Sequence, residues 1–156
     1  MNRCSITVIC FAVFMTVGLF SADAADPVFQ SLDQVKWGPA PPALPAGAQS
    51  AALSGDPMTD SPFVLIVKFP ANYRVAAHSH PKDENVTVIS GTLFMGMGDK
   101  LDSIGGKALS AGGYAHMPAN MNHYVYTEAE TVFTVHGQGP VEFKYVNPAD
   151  DPRNKK

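Results

Sequence analysis

From Pro62 onward the chain is a succession of short β-branched and aromatic runs, and no segment of the chain beyond its first 24 residues carries a convincing helical period. The runs are "FVLIVKF" (63–69), "NVTVISGTLFMGMG" (85–98, two halves joined at Gly91), "GGYAHMP" (112–118), "HYVYT" (123–127), "TVFTVHG" (131–137) and "VEFKYV" (141–146). Gly, Pro, Asn and Asp punctuate them at the spacing of an all-β sandwich or barrel. The expected fold is an antiparallel β-barrel or double-sheet jelly roll over residues 62–146. Ahead of it, 25–61 reads as an arm and strap. "GPAPPALPAG" (38–47) is too rich in proline for a helix or a central strand. Residues 147–156 read as a solvated tail.

The first 24 residues form a different kind of segment. Arg3 is followed by an apolar run, Ile6 to Phe20, and then by Ala22-Asp23-Ala24, which fits the small-residue cleavage rule for a secretory signal. The run is short for a membrane span, which needs about 20 apolar residues. The expectation is a cleaved leader, no stable membrane anchor after cleavage, and export to the bacterial periplasm without a twin-arginine signal. Cleavage after Ala24 leaves 132 of the 156 residues and removes both cysteines, Cys4 and Cys10. The mature chain then has no thiol for a disulfide, a thiolate metal site or a nucleophile. A net charge of −3 and the absence of a basic cluster argue against a nucleic-acid partner.

Chemistry concentrates in "AAHSHPKDENVTVISG" (76–91). On a strand, residues i and i+2 share a face, so His78 and His80 can point together into a barrel while Ser79 faces outward. Pro81 to Asp83 make a turn, and Glu84 opens the next strand aimed back at the same point. His123 follows "PANMN" as a fourth candidate. Three imidazoles and a carboxylate suit Fe, Mn, Ni, Cu or Zn better than Ca or Mg. A lone His-x-His pair, however, is more often than not an ordinary surface or core pair.

The spacing as a set carries more. His78, His80, Glu84 and Gly91, then Gly112, Pro118, Asn120 and His123, closely resemble the two motifs of the cupin superfamily, G-x5-HxH-x3,4-E-x6-G and G-x5-PxG-x2-H-x3-N. The resemblance covers about residues 62–146. It implies a small barrel with a metal held in one mouth by His78, His80, Glu84 and His123. Three positions depart from the motifs: Asn72 and Asn120 stand where the family has glycine, and Thr127 where it has asparagine. Asparagine tolerates a left-handed backbone, so both turns are expected to be kept.

His116 and His136 are the other histidines. Either could line the cavity as a proton shuttle or substrate contact, alongside Glu84; the plainer reading is a strand-end histidine bonded to backbone or water. Tyr73, Tyr124, Tyr126, Phe94, Met95, Met97, Met117 and Met121 read as core, a methionine copper site being the sharper alternative. Asp99 and Asp102 read as turn formers. No serine-hydrolase elbow, zinc-protease helix or phosphate loop is present. Small single-domain cupins of this size imply an Fe(II) dioxygenase acting on a small organic molecule such as an enol, diketone, catechol or thiol. A redox-neutral isomerase, lyase or hydrolase using Zn or Mn stays open, as do a non-catalytic binding or sensing protein and a purely structural metal. Through the arm and sheet edges the chain could form a homodimer.

Overall fold

The computed structural model describes residues 27–155, so the expected leader lies outside the described residues. The chain divides into two compact units, 1–30 and 31–156. Of the first, only residues 27–30 are described, without regular structure. The second is nearly all strand: β1 (Gly38–Pro39), β2 (Gln49–Ser54), β3 (Pro62–Phe69), β4 (Arg74–Ser79), β5 (Glu84–Ser90), β6 (Thr92–Met97), β7 (Lys107–Ser110), β8 (Tyr114–Met117), β9 (His123–Tyr126), β10 (Thr131–Gln138) and β11 (Lys144–Tyr145). Three single 3-10 turns, Leu32–Gln34, Pro148–Asp150 and Pro152–Asn154, are the only helical pieces among the described residues. None is long and apolar enough to cross a membrane.

The strands make two antiparallel sheets, one ordered β1-β2-β3-β10-β5-β8 and the other β11-β4-β9-β6-β7. This is the all-β double-sheet jelly roll that the run pattern predicts. Alternation selects the inward side chains: Phe63, Leu65, Val67 and Phe69 on β3, Val86 and Val88 on β5, Leu93 and Met95 on β6, Phe133 and Val135 on β10. Each such side chain, fully buried, contributes roughly 1.5–3 kcal/mol. Phe69 meets Phe133 edge to face at 4.9 Å between ring centres. On the outer side of the second sheet, Phe94 stacks parallel on Tyr126 at 4.8 Å. Gly96 is needed there, because a Cβ at that position would lie 2.1 Å from the Tyr124 ring.

The turns keep the backbone that the spacing demands. Asn72 and Asn120 have φ of 60° and 62°, and Gly91 and Gly112 have 78° and 81°. All four lie in the left-handed region that glycine and asparagine tolerate. Thr127 is buried; its hydroxyl donates to the Pro70 carbonyl at 2.7 Å and accepts from the Tyr73 amide at 3.2 Å.

The sheet extends beyond residues 62–146 into the strap, where β2 pairs with β3 from Gln49↔Lys68 to Ser54↔Val64. The β2 sequence, "QSAALS", has no β-branched residue, so neither propensity nor alternation marks it; the β3 ladder alone recruits it. Residues 40–48 lie down on the barrel with Ala43 and Ala48 buried. Tyr73 Oη donates to the Pro45 carbonyl, and Tyr145 Oη donates to the Ala43 carbonyl at 2.7 Å. Lys68 sits 4.5 Å over the Trp37 ring. Met97 and Met121 are not core: they are 49% and 44% exposed, at the last residue of β6 and in the loop before β9. The tail is exposed but ordered, with Arg153 paired to Asp151 and donating to the Phe143 carbonyl at 3.0 Å.

Candidate metal centre

The register of the second sheet builds half of the site. β4 and β9 run antiparallel with His78 directly opposite His123, after a register shift between Val75 and His78. His80 lies just beyond the end of β4, and its carbonyl accepts from the Asn120 amide at 2.7 Å, which ties it to the loop leading into His123. Glu84 comes from the other sheet, as the first residue of β5. The group therefore spans the mouth between the two layers.

His78, His80 and His123 are buried, and one ligand nitrogen of each lies within 4.8 Å of the others. Each ring is oriented by its Nδ1. His78 Nδ1 donates to the Ala76 carbonyl at 2.7 Å, His80 Nδ1 to Glu142 at 2.7 Å and His123 Nδ1 to Met121 at 3.1 Å. A carbonyl can only accept, so Nδ1 carries the proton and Nε2 presents its lone pair to the shared centre. His80 Nε2 and His123 Nε2 are buried with no hydrogen-bond partner. Two orphaned imidazole nitrogens facing one point cost stability unless something occupies that point. A divalent transition ion fits the donor set.

Glu84 stands outside that cluster of three but beside it. Its carboxylate oxygens lie 3.6 Å from His80 Nε2 and 3.5 Å from His123 Nε2, ion-pair rather than hydrogen-bond distances. Burial opposes its ionisation, but His123 and the other two imidazoles outweigh this and hold the Glu84 carboxyl down at about 2. Burial, with His123 and His80 as neighbours, pushes the His78 imidazole down to about 3. Burial also pushes His123 down, but the adjacent Glu84 carboxylate reverses the shift to a net rise. Neutral His78 and ionised Glu84 are the forms a metal requires.

A cavity of about 70 Å³ opens from the His78 and Glu84 side into the barrel, walled by Leu65, Val67, Val86, Leu93, Met95 and Phe133 among others. That is room for several waters or a small organic molecule. Phe143 closes one side, stacked 5.1 Å from His78 and edge-on to His80 at 4.6 Å. Sequence reading missed Glu142 and Phe143 as supports of the histidines. The alternation in "VEFKYV" puts Phe143 and Tyr145 on one face, the only signal available.

The remaining candidates fall elsewhere. His116 and His136 are both register partners of Asn85, on the opposite sheet face from Glu84. His116 Nε2 pairs with Asp83 at 3.2 Å and is 45% exposed. Neither lines the cavity, so a proton shuttle through them is not built. Ser79, expected to face outward, is buried where β11 crosses β4, with Lys144 opposite it. Asp99 and Asp102 do shape a loop: Asp102 Oδ1 accepts from the Ile104 amide and Asp99 Oδ1 from Asn122.

A family model described as "Domain of unknown function (DUF4437)" matches residues 21–144. No curated protein matches the chain. Among solved structures, one described as a putative acetylacetone dioxygenase from Methylibium petroleiphilum is similar at 24% identity, covering 83% of this chain and 87% of that one, with a TM-score of 0.61. An acetylacetone dioxygenase from Acinetobacter johnsonii is similar at 20% identity over 92% and 84%, with a TM-score of 0.59. An RmlC-like cupin from Shewanella frigidimarina is similar at 14% identity over 71% and 89%, with a TM-score of 0.54. At these identities the likeness is one of fold.

Proposed function

The chain belongs to the DUF4437 family and has the cupin fold, and from that premise we propose that it is an Fe(II)-dependent dioxygenase acting on a small enolisable molecule of the diketone type. One observation carries the reading: three buried imidazoles with Nδ1 committed to backbone carbonyls turn Nε2 to a common point beside an apolar cavity. The names of two similar structures, both acetylacetone dioxygenases, support the choice of reaction. His78, His80 and His123 would hold the ion, with Glu84 as a looser fourth donor. The ion would supply Lewis acidity and one-electron chemistry toward O₂. Glu84, ionised at neutral pH, would place a negative charge beside the ion and offset part of its charge. The apolar wall excludes bulk water and holds the rest of the substrate. Export to the periplasm, on the strength of residues 1–24, belongs to the same proposal.

The test is to load metal-free protein with Fe(II) under argon, admit air, and follow O₂ uptake with a panel of diketone, catechol and thiol. One ion per chain and O₂ uptake with a diketone are expected. The His78→Ala, His80→Ala double variant is expected to hold no ion and consume no O₂. Full iron loading with no uptake on any member of the panel would sink the dioxygenase reading. Turnover retained with Zn(II) under argon would favour the redox-neutral alternative.

A further inference from the structure

Eighteen of the described residues line the barrel cavity, and only His78 and Glu84 among them carry a side-chain oxygen or nitrogen. Among the described residues, no serine, threonine, tyrosine, asparagine, glutamine, lysine or arginine side chain lines it. The two polar groups stand together, at the end that adjoins the histidine cluster. Beyond them the wall is Leu65, Val67, Val86, Leu93 and Phe133, all buried. We propose that this cavity selects an uncharged substrate with its polar atoms at one end only, the rest being a short hydrocarbon tail inserted into the barrel. The inference rests on the functional reading above and narrows it.

The selection follows from desolvation and charge. A hydroxyl carried into the cavity beyond Glu84 leaves its water partners and meets no side-chain donor or acceptor, so each such group lowers affinity. A carboxylate or phosphate on the tail fares worse, because among the described residues no lysine or arginine side chain lines the wall to pair with it. Sugars, sugar acids, amino acids and phosphate esters are therefore disfavoured wherever their polar groups must reach past Glu84 into the wall. Added methylenes are rewarded, by about fourfold each, until the tail reaches the far wall.

A ligand series with one constant polar end isolates the wall. The probes are 2,4-pentanedione, its homologue one methylene longer, and two analogues in which the terminal methyl is replaced by hydroxymethyl or by carboxylate. Affinity is read by calorimetry on Zn(II)-loaded protein, where no O₂ chemistry intervenes. The longer homologue is expected to bind tighter by a few fold, the hydroxymethyl analogue at least tenfold weaker than the homologue, and the carboxylate at least a hundredfold weaker. Equal affinities within threefold, or a preference for the carboxylate, would overturn the inference and leave the dioxygenase reading intact. The same series on metal-free protein, read as the shift in melting temperature, covers the other case. Should no ion load while the order of the series holds, the cavity assignment stands and the metal reading falls; should the order vanish there too, both fall. Val86→Thr, which places a hydroxyl in the wall at nearly constant volume, is expected to close the gap between homologue and hydroxymethyl analogue. A gap left unchanged in a folded variant would count against the cavity as the seat of the tail.

Discussion

An asparagine that takes over a glycine position is informative because it names the conformation the backbone needs. Asn72 and Asn120 both sit at φ near 60°. Asn→Ala at either site is expected to cost about 1 kcal/mol, while Asn→Gly stays within about 0.5 kcal/mol of the parent, as read from urea midpoints. The left-handed turns were legible in the sequence, since spacing and residue type agreed there. The role of Thr127 was not. It stands where the motif has asparagine, and its two partners, Pro70 and Tyr73, are 57 and 54 residues away. Thr127→Val leaves a buried amide and carbonyl short of partners and is expected to cost about 1–3 kcal/mol, with Thr127→Ser losing less. The four candidate ligand positions were readable for the same reason as the turns, namely fixed spacing. The cavity role weighed for His116 and His136 could not be decided from sequence, because a histidine says nothing of its face until the register with Asn85 is known.

The strap shows how an element without strand character becomes part of the sheet. β2 holds its place by backbone pairing to β3, and the loop before it is held by two phenols from distant strands and turns. Its place was invisible to pattern reading because nothing in "QSAALS" alternates and the anchoring tyrosines lie far along the chain. Tyr145→Phe should loosen residues 40–48, costing about 1 kcal/mol and speeding proteolysis there; Trp37 fluorescence offers a local readout. Burial, with the Asp151 carboxylate, pushes the Tyr145 phenol up to about 12, and burial with Tyr145 nearby raises Tyr73 further. The unfolded chain gives up these protons near pH 10, so above that pH it binds fewer protons than the folded one, and stability falls as pH rises toward 12. The expected slope is about 1.4 kcal/mol per pH unit for each tyrosine. Unfolding midpoints between pH 9 and 11.5 should show it, less steeply in Tyr145→Phe.

At the scale of the molecule, the histidine cluster bridges strands of one sheet and meets Glu84 from the other, so an ion bound there ties both layers. An ion at a hundred times its Kd is expected to add about 2.7 kcal/mol to stability, seen as a rise in Tm that a chelator reverses and that His123→Ala abolishes. The two ends of the described barrel are also joined: the Ala43 carbonyl receives its hydrogen bond from Tyr145, 102 residues later. A chain emerges from its N-terminus, so β3 and Tyr73 reach the strap early, while its last anchor, Tyr145, arrives only when almost all the rest has followed. β3 likewise waits for β10. Closure is then completed late, after synthesis or transport, and a nascent chain stalled before residue 145 should remain open to protease around Ala43.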